Sequence, residues 1–149
     1  MKTAEKISEG TNYTTVSVGK MGELSEHTLV LGPGIEIPGK VFIGGALQAT
    51  GAEISFQSFA PGTETGFLHT HKTHEELYVF VSGHGEFQVD GEIFTVSEGD
   101  TVRVAPNGER AVRNTGNEPL VMICIQYKAH TFNESDAKDG EILNGKVTW

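Results

Sequence analysis

The chain has 149 residues, 37% of them hydrophobic, with 19 glycines and one cysteine, Cys124; that allows one domain with a sizeable core and no intrachain disulfide. Its formal charge of −9, from 20 acidic against 11 basic residues, argues against nucleic acid and anionic membrane surfaces as partners, since both reward a basic patch. No apolar run approaches the ~20 residues that span a bilayer, residues 1–10 lack the apolar stretch of a secretory signal, and the lone thiol suits a reducing compartment, so a soluble, cytoplasmic protein is expected.

Taken in chain order, residues 1–26 are polar and mixed, and read as a flexible arm with an edge strand over 14–18. Short apolar runs follow at 28–31, closed by Gly32-Pro33-Gly34, and at 40–43, closed by Gly44-Gly45. Residues 53–59 read as a strand that stops at Pro61-Gly62. Further strands are predicted over 76–81, 86–90, 92–96, 101–105, 111–114 and 120–127. Polar–apolar alternation over 86–90 marks a half-buried strand, and Asp90-Gly91 is a hairpin signal that wants positive φ at both residues. About nine strands joined by tight turns, with no amphipathic helix among them, predict an antiparallel sandwich or small barrel over 27–128. Residues 129–149 form an acidic tail, with one helical turn expected from Asn133.

The chemistry concentrates between Gly62 and Gly83. His69, His71, His74, Glu75 and Glu76 fall within eight residues at the entry to a strand. Side chains two apart on a strand share a face, so His69 and His71 can aim at one point. Two imidazoles and a nearby carboxylate suit a divalent transition metal. Unbroken parity would carry Glu75 to that face; Glu76 reaches it only through an extra residue, which Lys72-Thr73-His74 can house. Glu76, Tyr78 and Phe80 then share one face, and Leu77, Val79 and Val81 the other.

This stretch resembles the first motif of the cupin superfamily, His-x-His, a short spacer, Glu, six residues and Gly. His69, His71, Glu76 and Gly83 fit its longer form, with Gly62 one place off. The resemblance implies an all-β fold, an antiparallel double-stranded β-helix or jelly-roll barrel, and covers residues 40–128. It also implies that His69, His71 and Glu76 bind one divalent metal (iron, manganese, nickel or zinc), with Glu75 and His74 as backups. The second motif survives as Gly99, Pro106 and Gly108, with one residue too many between Gly99 and Pro106. The family's fourth ligand falls on Ala111, so its imidazole is missing, and Asn114 arrives one residue early.

Other residues keep two readings each. Arg110, beside the vacated position, either bonds Glu76 or an anionic ligand or is solvated. Tyr78 lines a pocket or fills the core. Arg103 pairs with an internal carboxylate or covers an edge. Gln126 looks into the barrel or closes a strand end. Cys124 is expected to be a buried, inert thiol. His84 belongs to an exposed turn, and no motif surrounds His27 or His130.

The functional expectation is a metal-binding barrel that acts on or binds a small organic molecule, with dioxygenase, isomerase and decarboxylase chemistry all open. The alternative is a non-catalytic sensor or storage protein with a degenerate metal site. A homodimer formed through a sheet edge is expected.

Overall fold

The computed structural model describes residues 1–149. Its strands are β1 (Glu5–Gly10), β2 (Tyr13–Ser17), β3 (Thr28–Gly32), β4 (Ile35–Pro38), β5 (Lys40–Phe42), β6 (Glu53–Phe59), β7 (His74–Ser82), β8 (His84–Val89), β9 (Glu92–Ser97), β10 (Thr101–Val104), β11 (Arg110–Arg113) and β12 (Leu120–Lys128). A 3-10 helix spans Met21–Glu26, and single helical turns α1 (Gly44–Leu47) and α2 (Glu134–Ala137) complete the chain. α2 is the turn expected at Asn133, whose side chain accepts from Ser135 N–H and caps it.

All pairings are antiparallel. A five-stranded sheet runs β10-β7-β12-β6-β5 and a three-stranded sheet β11-β8-β9, while β1-β2 and β3-β4 are separate hairpins. The strand period of two sends Ser55, Gln57 and Phe59 of β6, and Glu76, Tyr78 and Phe80 of β7, to the inside. Phe87 of β8 meets them, its ring 4.9 Å from that of Tyr78 and 6.3 Å from that of Phe80, both edge-on. These rings, with Val96, Val104, Val112, Leu120, Met122 and Cys124, form the core between the two sheets. The architecture is the all-β jelly roll that the motif resemblance implies, one form of the antiparallel sandwich or barrel that the strand pattern predicts.

Two turns explain their sequences. Asp90 and Gly91 both have positive φ, 50° and 87°, as the β8–β9 hairpin requires. Gly83 has φ 81°, and a Cβ there would stand 2.5 Å from Pro119 O, so that position tolerates only glycine.

The N-terminal segment differs from the expected arm. The β1-β2 hairpin and the 3-10 helix lie over the outer face of the five-stranded sheet. Val18 and Leu24 join Ile43 and Val121 in a second core, against Val41, Ile54, Phe56 and Val81. The physical reason is that β6 and β7 also carry apolar side chains outward, Ile54 and Phe56 on one and Val81 on the other, and an exposed apolar sheet face needs a cover. Leu24 is fully buried, and His27, without any sequence motif, is buried beside it with Nε2 donating to Val18 O at 2.9 Å. Strands β1 and β4 lie outside the predicted set; β1 is wholly and β4 mostly exposed, so neither has a buried face to mark it. No helix is long and apolar enough to cross a membrane.

Candidate functional site

The segment between β6 and β7 is irregular, and that irregularity builds the site. Neither His69 nor His71 lies in a regular strand; His69 forms an isolated bridge with Arg110. Arg110 N–H donates to His69 O at 3.0 Å, and His69 N–H to Arg110 O at 3.3 Å. Asn107, at φ 70°, donates its N–H to His71 O at 2.7 Å. The break at Lys72-Thr73 supplies the offset, so that β7 starts at His74 with Glu76 facing inward.

Three side chains converge. The ligand atoms of His69, His71 and Glu76 all lie within 4.8 Å of one another. His69 Nε2 stands 3.5 Å from Glu76 Oε2, and His71 Nε2 stands 3.2 Å from Oε1. The imidazole rings sit edge to face, 5.5 Å apart. Side-chain exposure falls from 36% at His69 to 25% at His71 and 7% at Glu76, so the carboxylate is deepest and the rings stand nearer the mouth. His71 Nε2 and His69 Nδ1 are buried without a hydrogen-bond partner. The orphaned His71 Nε2 and the His69 Nε2, both facing the Glu76 carboxylate, are a donor set that fits a divalent transition ion.

Glu76 Oε2 is held from the protein side. Tyr78 hydroxyl donates to it, and Arg110 Nη2 lies 3.2 Å away. Burial pushes the Glu76 carboxyl up, but hydrogen bonds from His69 and Tyr78 and the charges of Arg110 and His71 outweigh it and bring it down to about 2. Burial, then the Glu76 charge, pushes the Tyr78 hydroxyl well above the usual phenol range, so it remains a donor. Burial lowers His71 below the ordinary imidazole value, which keeps the ring neutral, as a metal ligand must be.

These groups form the floor of a cavity of about 250 Å³. Its walls are largely apolar, including Leu29, Leu31, Phe42, Phe67, Val112 and Met122. Gln126, paired with Glu76 across β7 and β12, lines it, as does Tyr78, which also packs in the core. Ala111 lines it too, but the inward, fully buried position on β11 belongs to Arg110.

Three expected residues fall elsewhere. Glu75 faces away from the cavity and accepts from Arg103 Nε at 2.5 Å, so neither lines the pocket. Once the break at Lys72-Thr73 fixes parity, Glu75 and Glu76 must point to opposite faces. The His74 ring lies 6.3 Å from that of His71, with Nδ1 3.3 Å from Thr73 Oγ1, outside the cavity at the start of β7. His84 and His130 are exposed. Cys124 is buried, and burial, then the Glu76 charge, pushes its thiol up to about 12, which makes it inert.

Sequence reading missed Lys40 and Gln57. Lys40 Nζ donates to Gln57 Oε1 at 3.1 Å and lies 5.3 Å from the Phe42 ring centroid, within the same cavity. The i, i+2 spacing of Lys40 and Phe42 on a strand was the available signal.

A family model for the cupin domain matches residues 55–126, which include His69, His71, Glu76 and Arg110. The crystal structure of a cupin protein from Bacteroides fragilis is 31% identical, with a TM-score of 0.66, over 78% of this chain and 96% of its own. An uncharacterized protein of Methanocaldococcus jannaschii is 31% identical over 80 residues, 54% of this chain and 64% of that relative. Auxin-binding protein 1 of Arabidopsis thaliana is 34% identical over 82 residues, 49% of this chain and 40% of that relative. The chain thus spans less than two thirds of the length of both curated relatives. It belongs to the cupin superfamily.

Proposed function

We propose that this cupin uses His69, His71 and Glu76 to hold one divalent transition metal, iron, manganese, nickel or zinc, at the floor of a pocket that binds a small organic molecule. The observation that carries the reading is the convergence of three donors within 4.8 Å beneath an apolar-walled cavity. Such an ion, when bound, supplies Lewis-acid polarisation of a ligand oxygen, with redox capacity added if it is iron or manganese. Tyr78 and Arg110 fix the carboxylate through Oε2, which leaves Oε1 toward His71. Support of this kind, a hydrogen bond from Tyr78 and an ion pair with Arg110, orients ligands and tunes affinity. Dioxygenase, isomerase and decarboxylase reactions all begin from a polarised small ligand, and one relative is named for binding auxin.

A second reading has its own support. Arg110 satisfies the Glu76 charge without any metal, as a non-catalytic sensor or storage protein with a degenerate site would need. Metal analysis after purification without chelator separates the two. Near-stoichiometric metal, lost in the His69→Ala/His71→Ala double variant, is expected; metal-free protein whose stability is indifferent to chelator favours the second reading. A homodimer belongs to the same proposal. Light scattering at twice the chain mass is expected, since Val30, Leu31 and Ile35 of the β3-β4 hairpin are exposed.

A further inference from the structure

The cavity carries more positive charge than the Glu76 carboxylate offsets. Arg110 has no exposed surface. Its Nη1 donates to His69 O at 3.1 Å and to Gly108 O at 2.9 Å. Nε and Nη2 make no hydrogen bond, although Nη2 is 3.2 Å from Glu76 Oε2. A guanidinium brings five N–H donors in a rigid fork, and buried donors left unmade are costly. Lys40 adds a second cation to the same lining, half-buried and held by Gln57 and the Phe42 face.

Set against these two cations is the single carboxylate of Glu76, so the lining has a cationic excess even before a metal binds. That excess sits in a chain whose formal charge is −9. Inside apolar walls a charge is felt far more than in water, so the cavity selects anions. A fork with free donors matches a carboxylate in geometry. The volume of about 250 Å³ lies below the roughly 300–1,000 Å³ of pockets for drug-sized ligands, which sets the size class.

We propose that the cavity takes a small carboxylic acid with an apolar body, its carboxylate held by Arg110 and Lys40 and its body against Phe42, Phe67 and Met122. This names the ligand class for the pocket proposed above, but it stands on residues other than the metal ligands. Within that class, an aliphatic or aromatic body meets the same walls.

Calorimetric titration of the full chain, chelator-treated and metal-loaded, tests it with hexanoate, hexanamide and hexylamine. Hexanoate is expected to bind both forms. Hexanamide is expected to bind at least about tenfold more weakly, as the loss of a charge-assisted bond dictates, and hexylamine not at all. Lys40→Met is expected to weaken hexanoate about tenfold and leave hexanamide unchanged. Arg110→Lys is the harsher variant, because Arg110 also ties two backbone carbonyls; Lys40→Met and the neutral amide keep the test sound if that variant fails to fold. Equal binding of hexanoate and hexanamide, or no hexanoate binding in either form, overturns the proposal. Binding confined to metal-loaded protein and indifferent to Lys40→Met also overturns it, while leaving the metal reading intact. Lys40-sensitive binding in protein that takes up no metal upholds it and sinks the metal reading instead.

Discussion

Inside the barrel, the Glu76 carboxylate meets a phenol, a guanidinium and two imidazoles, and its proton sets the acid limit of the site. Its folded value of about 2 lies below the ordinary 4.5. The stabilisation is therefore complete above about pH 4.5 and is lost as pH falls through the folded value. In chelator-treated protein this is worth about 3 kcal/mol, and Glu76→Gln is expected to flatten urea-unfolding free energies below pH 4.5 relative to wild type. His71, also lowered, adds loss in the same direction, beginning as pH falls below the ordinary imidazole value, because the unfolded chain takes the proton first. Tyr78→Phe removes the hydroxyl that fixes Oε2. It is expected to weaken metal binding by about 10- to 100-fold with the fold retained, as read by competition with a chromophoric chelator. At this scale spacing pointed to the i, i+2 imidazole pair but left Glu75 and Glu76 open; the motif resemblance favoured Glu76, and the break at Lys72-Thr73 is what turns it inward. The sequence left Arg110 between a bond to Glu76 and solvent, because one extra residue between Gly99 and Pro106 hides which β11 side chain faces in; the structure places it inward, 3.2 Å from Glu76.

Among the elements, the segment before β3 is where local pattern and tertiary role part company. Its strands are polar and exposed, yet Val18 and Leu24 close the outer face of the five-stranded sheet. Leu24→Ala is expected to cost about 2–5 kcal/mol by chemical denaturation, a loss that a flexible arm would not show. The alternating strands β6 to β12 were legible because each has one clear inner face. Strands β1 and β4 were not, since their placement follows from distant apolar surface rather than from their own sequence. Asn114 shows the same limit. It donates to Phe59 O at 2.9 Å and Glu118 O at 2.8 Å, and accepts from Gly116 N–H, so it ties the β11–β12 turn to β6. Asn114→Ala leaves buried carbonyls unmet and is expected to cost about 2–4 kcal/mol in the same assay.

For the whole molecule, an acidic exterior encloses a cationic cavity, with the chain at −9 and Lys40 and Arg110 inside. The fold supplies two walls, the five-stranded sheet and the β3-β4 hairpin with the 65–71 segment, and the metal ligands stand where they meet. Binding to the folded state alone raises stability by mass action, so a saturating divalent ion is expected to raise the melting temperature of wild-type protein and leave that of the His69→Ala/His71→Ala variant unmoved. The most direct test is anomalous diffraction at the metal edge from crystals grown with manganese, iron, nickel or zinc. One peak is expected between the His69 and His71 rings and the Glu76 carboxylate. No peak there at full metal saturation, or the sole peak at another site, would contradict the assignment.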